Sequence, residues 1–363
     1  MKKVLFVATV TVHINAFHIP YLKMLKEDGY EVHVASYGDE PIEYCDKHFN
    51  ISFARFPLKL QNYKAYKELK NIIKYNEYEI IHCHTPVGGV LTRLAAQKTR
   101  KKGTRVIYTA HGFHFYKGAP LINWMIYYPL EKWLSRYTDC LITINQEDYE
   151  LAKKKFKSKQ IELVHGVGVD ESKFNFEMSN EEKHKLRESL ELKDDDFVLI
   201  QVGELNKNKN QIMAINAMKN LVKENPKIHL LLVGKGKLEE FYRQKIKKYN
   251  LQQNVHLLGY RTDIPNLMKI SNVLLSLSYR EGLPVNVIEG MMCKLPIIAT
   301  DCRGNRDLIK SDNALKVTDI SSLVSTIKKI NNCTDHSKIY KEISLYNTYN
   351  IKEKIKKIYE GKK

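Results

Sequence analysis

The sequence predicts an α/β protein made of two doubly wound, Rossmann-like domains facing each other across a cleft. Short apolar, β-branched runs recur along the whole chain with helix-like stretches between them. Continuous runs of this kind mark parallel strands buried on both faces, with helices as the crossover connections. The runs fall into two series separated by Gly166-Val167-Gly168-Val169-Asp170, and 363 residues suffice for about two domains with separate cores.

In order, the first series is Val4 to Val10, Tyr30 to Ser36, Glu79 to His84, Arg105 to His111, Cys140 to Asn145 and Ile161 to His165. The second is Phe197 to Gly203, Ile228 to Gly234, Val255 to Tyr260, Val273 to Ser278, Pro296 to Asp301 and Ala314 to Thr318. The glycine-rich segment and the polar stretch after it read as a hinge. The expected boundaries are residues 1–165 for the first domain, 166–178 for the hinge and 179–349 for the second domain. An amphipathic C-terminal helix within 350–363 is expected to return to the first domain.

A composition of 43% hydrophobic and 28% charged residues excludes a disordered or fibrous chain. No uncharged apolar run reaches the ~18 residues of a membrane span, and Met1-Lys2-Lys3-Val4 runs directly into a strand without a signal-peptide pattern, so a cytoplasmic location is expected. The six cysteines (45, 83, 140, 293, 302 and 333) form no Cys-x-x-Cys pair and fit reduced thiols. The net charge of +18 is evenly spread: residues 1–169 carry 25 basic and 16 acidic groups, the remainder 34 and 25, giving +9 each. An even excess of lysine argues against nucleic acid, which usually meets a concentrated patch, and is compatible with anionic lipid or phosphorylated substrates.

In open α/β sheets, ligands bind beyond the carboxyl ends of the strands. The distinctive segments of the second half lie there: Gly203-Glu204, Gly234-Lys235-Gly236, Gly259-Tyr260-Arg261, Tyr279 to Pro284 and Asp301 to Gly304. Most informative is Arg280-Glu281-Gly282-Leu283-Pro284-Val285-Asn286-Val287-Ile288-Glu289, two glutamates eight positions apart around a turn. Gly282 permits close backbone approach and Pro284 suits the first position of a helix. The amides near Leu283 and Val285 then make an anion site at the helix start. Glu289, on an otherwise apolar helix, needs polar partners such as ribose hydroxyls.

With these pieces the chain resembles the retaining glycosyltransferases of family 4, which have the GT-B fold. The matching segments are Thr109-Ala110-His111-Gly112, the Gly166 to Asp170 hinge followed by Phe174, Lys209-Asn210, Gly234-Lys235-Gly236 and Glu281 to Glu289. His111 to Gly118 and Glu204 to Gln211 look like bacterial capsular or exopolysaccharide enzymes. The resemblance implies a UDP-sugar donor and a polyprenyl-linked or glycan acceptor. By it, Glu289 binds ribose, Glu281 the transferred sugar, and the amides of Gly282, Leu283, Pro284 and Val285 the sugar or diphosphate; proline has no amide hydrogen, so at Pro284 only its neighbours can donate. Lys209 neutralises the diphosphate, the Gly234 loop adjoins the donor, backbone around Arg261 reads the uracil, and His111 lies by the bond being broken.

Two departures from the family pattern stand out. Glu204 occupies a position usually held by arginine, so that Lys207 takes over the charge, Glu204 turns away, or the phosphate site is built differently. The first strand ends on Thr11-Val12-His13-Ile14-Asn15-Ala16-Phe17-His18 rather than a glycine-rich turn, which makes His13, Asn15 and His18 candidates for acceptor binding. No cofactor and no metal is expected: His82 and His84 share a strand face without an evident third ligand, and Asp194-Asp195-Asp196 reads as a solvated turn. The aromatic segment Leu121 to Leu134, near Lys117 and Arg136, reads either as a helix packed on the sheet or as one dipping into a bilayer surface. Competing readings are a UDP-sugar epimerase of the same fold, and a non-enzymatic protein that binds nucleic acid or membrane through its charge.

Overall fold

The computed structural model describes residues 2–54, 56, 59–309, 315–331 and 343–361. Two compact units result, one from Met1–Val167 with Tyr349–Lys363 and one from Gly168–Thr348. The strands expected from the apolar runs all form. Among the described residues a single further strand, β3, appears.

The first unit contains β1 (Lys3–Val10), β2 (Glu31–Tyr37), β3 (Lys47–Asn50), β4 (Ile80–His84), β5 (Arg105–Ala110), β6 (Cys140–Thr143) and β7 (Gln160–Leu163). They form one parallel sheet in the order β3-β2-β1-β4-β5-β6-β7. β3, Lys-His-Phe-Asn, is a short polar edge strand, so it lacks the apolar run that betrays buried strands. The chain reverses its direction of travel across the sheet between β1 and β4, which opens a crevice at their carboxyl ends.

Helices cover both faces of this sheet. The C-terminal helix Thr348–Glu360 places Ile351, Ile355, Ile358 and Tyr359 at helical spacing against Val4, Phe6, Ile80 and Ile107, all buried. The Tyr359 hydroxyl and His82 Nδ1 are 2.7 Å apart, and Arg105 donates to the carbonyls of Ile358 and Tyr359. On the other face, helix Leu121–Leu134 packs Trp124, Tyr127, Tyr128 and Leu134 inward. A buried ion pair fixes it: Arg93, on helix Pro86–Ala95, donates to both Glu131 oxygens at 2.8 and 3.1 Å and lies 4.0 Å over the Tyr108 ring. Leu121, Ile122, Met125 and Ile126 remain exposed, so one face packs and the other is open.

The second unit contains β8 (Phe197–Val202), β9 (Ile228–Val233), β10 (Val255–Gly259), β11 (Val273–Ser276), β12 (Ile297–Thr300) and β13 (Leu315–Val317). Their order is β10-β9-β8-β11-β12-β13, again parallel, with the switch between β8 and β11. Of the sequence expectations, Ala314 and Cys333 lie outside the described residues. Asp196 corrects the expectation of a solvated turn: Asp194 and Asp195 are exposed, but Asp196 is buried, accepts the Lys193 amide at 2.6 Å and faces His229 at 3.3 Å. A backbone anchor explains a buried carboxylate there, since it satisfies an amide that would otherwise be orphaned.

Candidate functional site

In the second unit the polar groups gather at the switch between β8 and β11. Gly203 follows β8 at φ +152°, and a Cβ there would meet the Lys209 chain at 3.1 Å. Gly234, after β9 at φ +136°, lies so close to the Gly203 carbonyl that a Cβ would approach it to 2.2 Å. These two glycines let three strand ends crowd around one lysine. Asn206 Oδ1 accepts the Lys209 amide at 2.9 Å, and Gln201 donates to the Lys209 carbonyl at 2.7 Å. Asn208 ties this turn to the loop after β11, donating to the Arg280 carbonyl and accepting from the Tyr279 amide, both at 2.9 Å.

Lys209 and Glu281, far apart in sequence, consequently meet as an ion pair of 2.7 Å. Helix Val285–Met292 begins four residues on, with no side-chain cap. Pro284 occupies the capping position, not the first helical position expected from the sequence: its ψ of 116° is extended, and its carbonyl accepts the amides of Val287 and Ile288. The anion-binding logic is unchanged, because the amides of Val285 and Asn286 precede the first intrahelical bonds. Gly282 and Leu283 form the approach, and Gly304 packs on it so closely that a Cβ would meet the Gly282 carbonyl at 2.7 Å.

Glu289 is the fifth residue of that helix, and no hydrogen-bond partner of its carboxylate occurs among the described residues. Burial raises its pKa to about 7. Arg261 forms a bidentate pair with Asp263 at 2.8 and 2.6 Å, which leaves the backbone of this turn, not the guanidinium, open to a ligand. Glu204 is exposed and accepts from Asn206 at 3.0 Å, so it bends into its own turn while Gln211 holds its carbonyl. Lys207 is exposed. Sequence reasoning gave no role to Arg303, a buried cation that donates to the Glu281 carbonyl at 3.4 Å. Its place directly after β12, within the segment 301–304 already marked as a strand end, was the available signal.

In the first unit the switch between β1 and β4 is filled by histidines. His13 lies on the short helix Thr11–Phe17 that follows β1, His18 just after it, His84 at the end of β4 and His111 just after β5. A ring nitrogen of each lies within 4.8 Å of the others. The expectation that no third ligand joins the strand histidines is thus corrected: the fold supplies His13, His18 and His111 around His84, while His82 instead bonds Tyr359 and Thr109. Burial lowers the pKa of His13 to about 4 and that of His111 to about 3, and pushes His18 and His84 well down, so the rings are neutral at physiological pH. Asn15 does not join them; its amide donates to the Pro41 carbonyl at 3.0 Å.

Residues 182–344 match the model described as glycosyl transferases group 1, and residues 3–145 match glycosyl transferase 4-like. A Bacillus subtilis (strain 168) protein named putative glycosyltransferase EpsD is 45% identical over 333 residues, covering 91% of this chain and 87% of the relative. The chain belongs to the group 1 glycosyltransferase family. An Escherichia coli relative of this glycosyltransferase, named UDP-Gal:alpha-D-GlcNAc-diphosphoundecaprenol alpha-1,3-galactosyltransferase, is 29% identical over 324 residues, 85% of this chain and 82% of the relative. The crystal structure of Anabaena HepE in complex with UDP and glucose superposes with a TM-score of 0.78, covering 99% of this chain and all of that one, at 18% identity, and bears out the GT-B fold.

Proposed function

We propose that this glycosyltransferase moves a sugar, an N-acetylhexosamine or a hexose, from a UDP-sugar to a polyprenyl-linked or other glycan acceptor, with retention of anomeric configuration, in capsular or exopolysaccharide assembly. One observation carries the donor half: a lysine is delivered to a carboxylate beside an uncapped helix start, with a second, unpartnered carboxylate on the next turn. That set matches a nucleoside diphosphate sugar. The diphosphate takes Lys209 and the amides of Val285 and Asn286, Glu281 is then released to the sugar hydroxyls, and Glu289 accepts from the ribose. The names of the E. coli enzyme and of the amylovoran biosynthesis glycosyltransferase of Erwinia amylovora, with the UDP complex of HepE, support uridine donors and polysaccharide products.

In the transfer step the bond from the anomeric carbon to the β-phosphate oxygen breaks and a bond to the acceptor hydroxyl forms on the same face. The hydroxyl proton passes to the departing diphosphate. Cation and amide dipoles aimed at that developing charge supply the main stabilisation. His111 is assigned to the transferred sugar, and neutral His13 and His18 to the acceptor, since uncharged imidazoles both donate to and accept from hydroxyls.

No helix among the described residues is long and apolar enough to cross a membrane. We propose peripheral docking on the cytoplasmic face instead, through the exposed Leu121, Ile122, Met125 and Ile126 with exposed Lys117 and Lys132 beside them.

The test is to incubate purified protein with a panel of UDP-sugars and a lipid-linked acceptor, and to read product length by mass spectrometry and anomeric configuration by NMR. A lengthened acceptor with the donor's configuration is the expected result. Interconversion of the sugar nucleotide without acceptor, or an inverted product, overturns it.

A further inference from the structure

Four histidines without a carboxylate partner form an unusual interior. His18 and His84 are 2% and 1% exposed, and His18 Nδ1 and His84 Nε2 have no hydrogen-bond partner among the described residues. Each of the two rings makes one nitrogen-to-nitrogen contact, His18 Nε2 to His13 Nε2 at 3.2 Å and His84 Nδ1 to His111 Nε2 at 3.4 Å. Among the described residues no bond to backbone or carboxylate ties down either of these two side chains. A cavity of about 20 Å³ opens beside three of the four, lined also by His82 and Thr109, which is room for about one water or one ion.

The distances match those of a tetrahedral metal site. Nitrogens bound at about 2.0–2.1 Å stand about 3.3–3.4 Å apart along each tetrahedral edge. Two opposite edges of the set, His13 to His18 and His84 to His111, are already at that length. Imidazoles coordinated in this way have ring centres about 5 Å apart. The observed separations scatter around that figure: 4.9 Å for His13–His111, 5.1 Å for His13–His18, 5.6 Å for His84–His111, 5.8 Å for His18–His111 and 6.2 Å for His13–His84. Only His18 and His84, whose tilted rings lie 3.8 Å apart, must splay. A proton cannot resolve the crowding, since it would place an imidazolium against three rings in a dry site. A cation bound directly by neutral imidazoles can, as these are its natural ligands.

We infer that His13, His18, His84 and His111 form a binding site for a divalent transition cation, with Zn2+ the best fit to four nitrogen ligands in tetrahedral array. The inference does not rest on the proposed sugar transfer, although it engages three residues given roles there. The ion would lock the first strand's histidine-rich turn onto β4 and β5, doing by coordination what a glycine-rich turn cannot.

The test uses the full chain without a histidine tag, stripped with chelator and titrated with Co2+ and then Zn2+. One Co2+ per chain with the intense visible bands of tetrahedral coordination, displaced by one Zn2+, is the expected result. His84→Ala and, at the more accessible edge, His13→Gln should each weaken binding by about 100-fold or more. His256→Ala, at the unrelated His229–His256 pair, should leave it unchanged. Sub-stoichiometric binding, a weak octahedral spectrum, or equal binding by the His84 and His13 variants with native circular dichroism overturns the site. UDP binding on the same samples reads the second unit alone, so failure of the metal site and failure of the donor assignment are separately visible.

Discussion

Glu289→Gln isolates the proposed donor site, because it removes a charge while keeping shape. In the free protein the Glu289 pKa is raised from 4.5 to about 7 by burial. The folded state therefore holds the proton more tightly than the unfolded chain, so its contribution to stability is intact below pH ~4.5 and is lost as pH rises through ~7. That rise, from 4.5 to about 7, corresponds to about 3 kcal/mol at high pH. The glutamine variant escapes that loss, and melting of the second unit should rise by about 6 °C or more near pH 8.5, with little change near pH 5. UDP binding should move the other way. A carboxylate accepting from ribose hydroxyls is worth about 1.5–3 kcal/mol, so affinity should fall about 10- to 100-fold near pH 8.5. Near pH 5.5, where the wild-type carboxyl is itself protonated, the two proteins should differ far less. Titration of UDP itself cancels in their ratio. Calorimetry across this range reads affinity, and differential scanning reads stability. Equal UDP affinity at high pH, or a ratio that does not change with pH, refutes the ribose role; a melting difference independent of pH refutes the buried charge.

Other substitutions test separate parts of the argument. Lys209→Ala removes the cation paired with Glu281 and should lower turnover about 100-fold or more in single-turnover assays; turnover within threefold of wild type would exclude it from the diphosphate site. Glu204→Arg, at an exposed position, should leave stability within ~0.5 kcal/mol and tighten UDP about fivefold, a gain of ~1 kcal/mol from one added charge near phosphate; weaker UDP binding would show that Glu204 has a positive role. Glu131→Ala strands the buried Arg93 guanidinium and should cost about 3–5 kcal/mol in urea denaturation, and a loss under 1 kcal/mol would mean that Arg93 finds water. Met125→Ser with Ile126→Ser should weaken co-sedimentation with anionic vesicles about tenfold while leaving UDP affinity unchanged. Unaltered sedimentation would remove that helix from the membrane contact.

How much of this was legible depended on whether the signal was local. Parallel strands buried on both faces need apolar residues at every position, so a run such as Ile-His-Leu-Leu-Leu-Val at 228–233 announces itself. The edge strand β3 has one neighbour and no such requirement, and it went unseen. Pro284 was placed one residue too deep because proline suits both sides of a helix start, and only the backbone angles distinguish them. Asp196 resembled its two solvated neighbours, since burial is a property of what folds over a residue. Arg303 escaped because its role depends on the carbonyl of a residue 22 positions earlier.

The sequence by itself determined the two doubly wound sheets, the strand ends where polar residues gather, and the glutamate pair on which the proposed donor site rests. Periodicity, glycine placement and residue type are local properties, and they survive translation into a string. Tertiary structure alone decided which distant groups meet: Lys209 with Glu281, Arg93 with Glu131, and four histidines, from the helix after β1 and its end, the end of β4 and the residue after β5. Those encounters depend on strand order, since the insertion of β4 next to β1 brings residues 13, 18, 84 and 111 into one crevice. Strand order is fixed by the packing of the whole sheet, not by any segment of it.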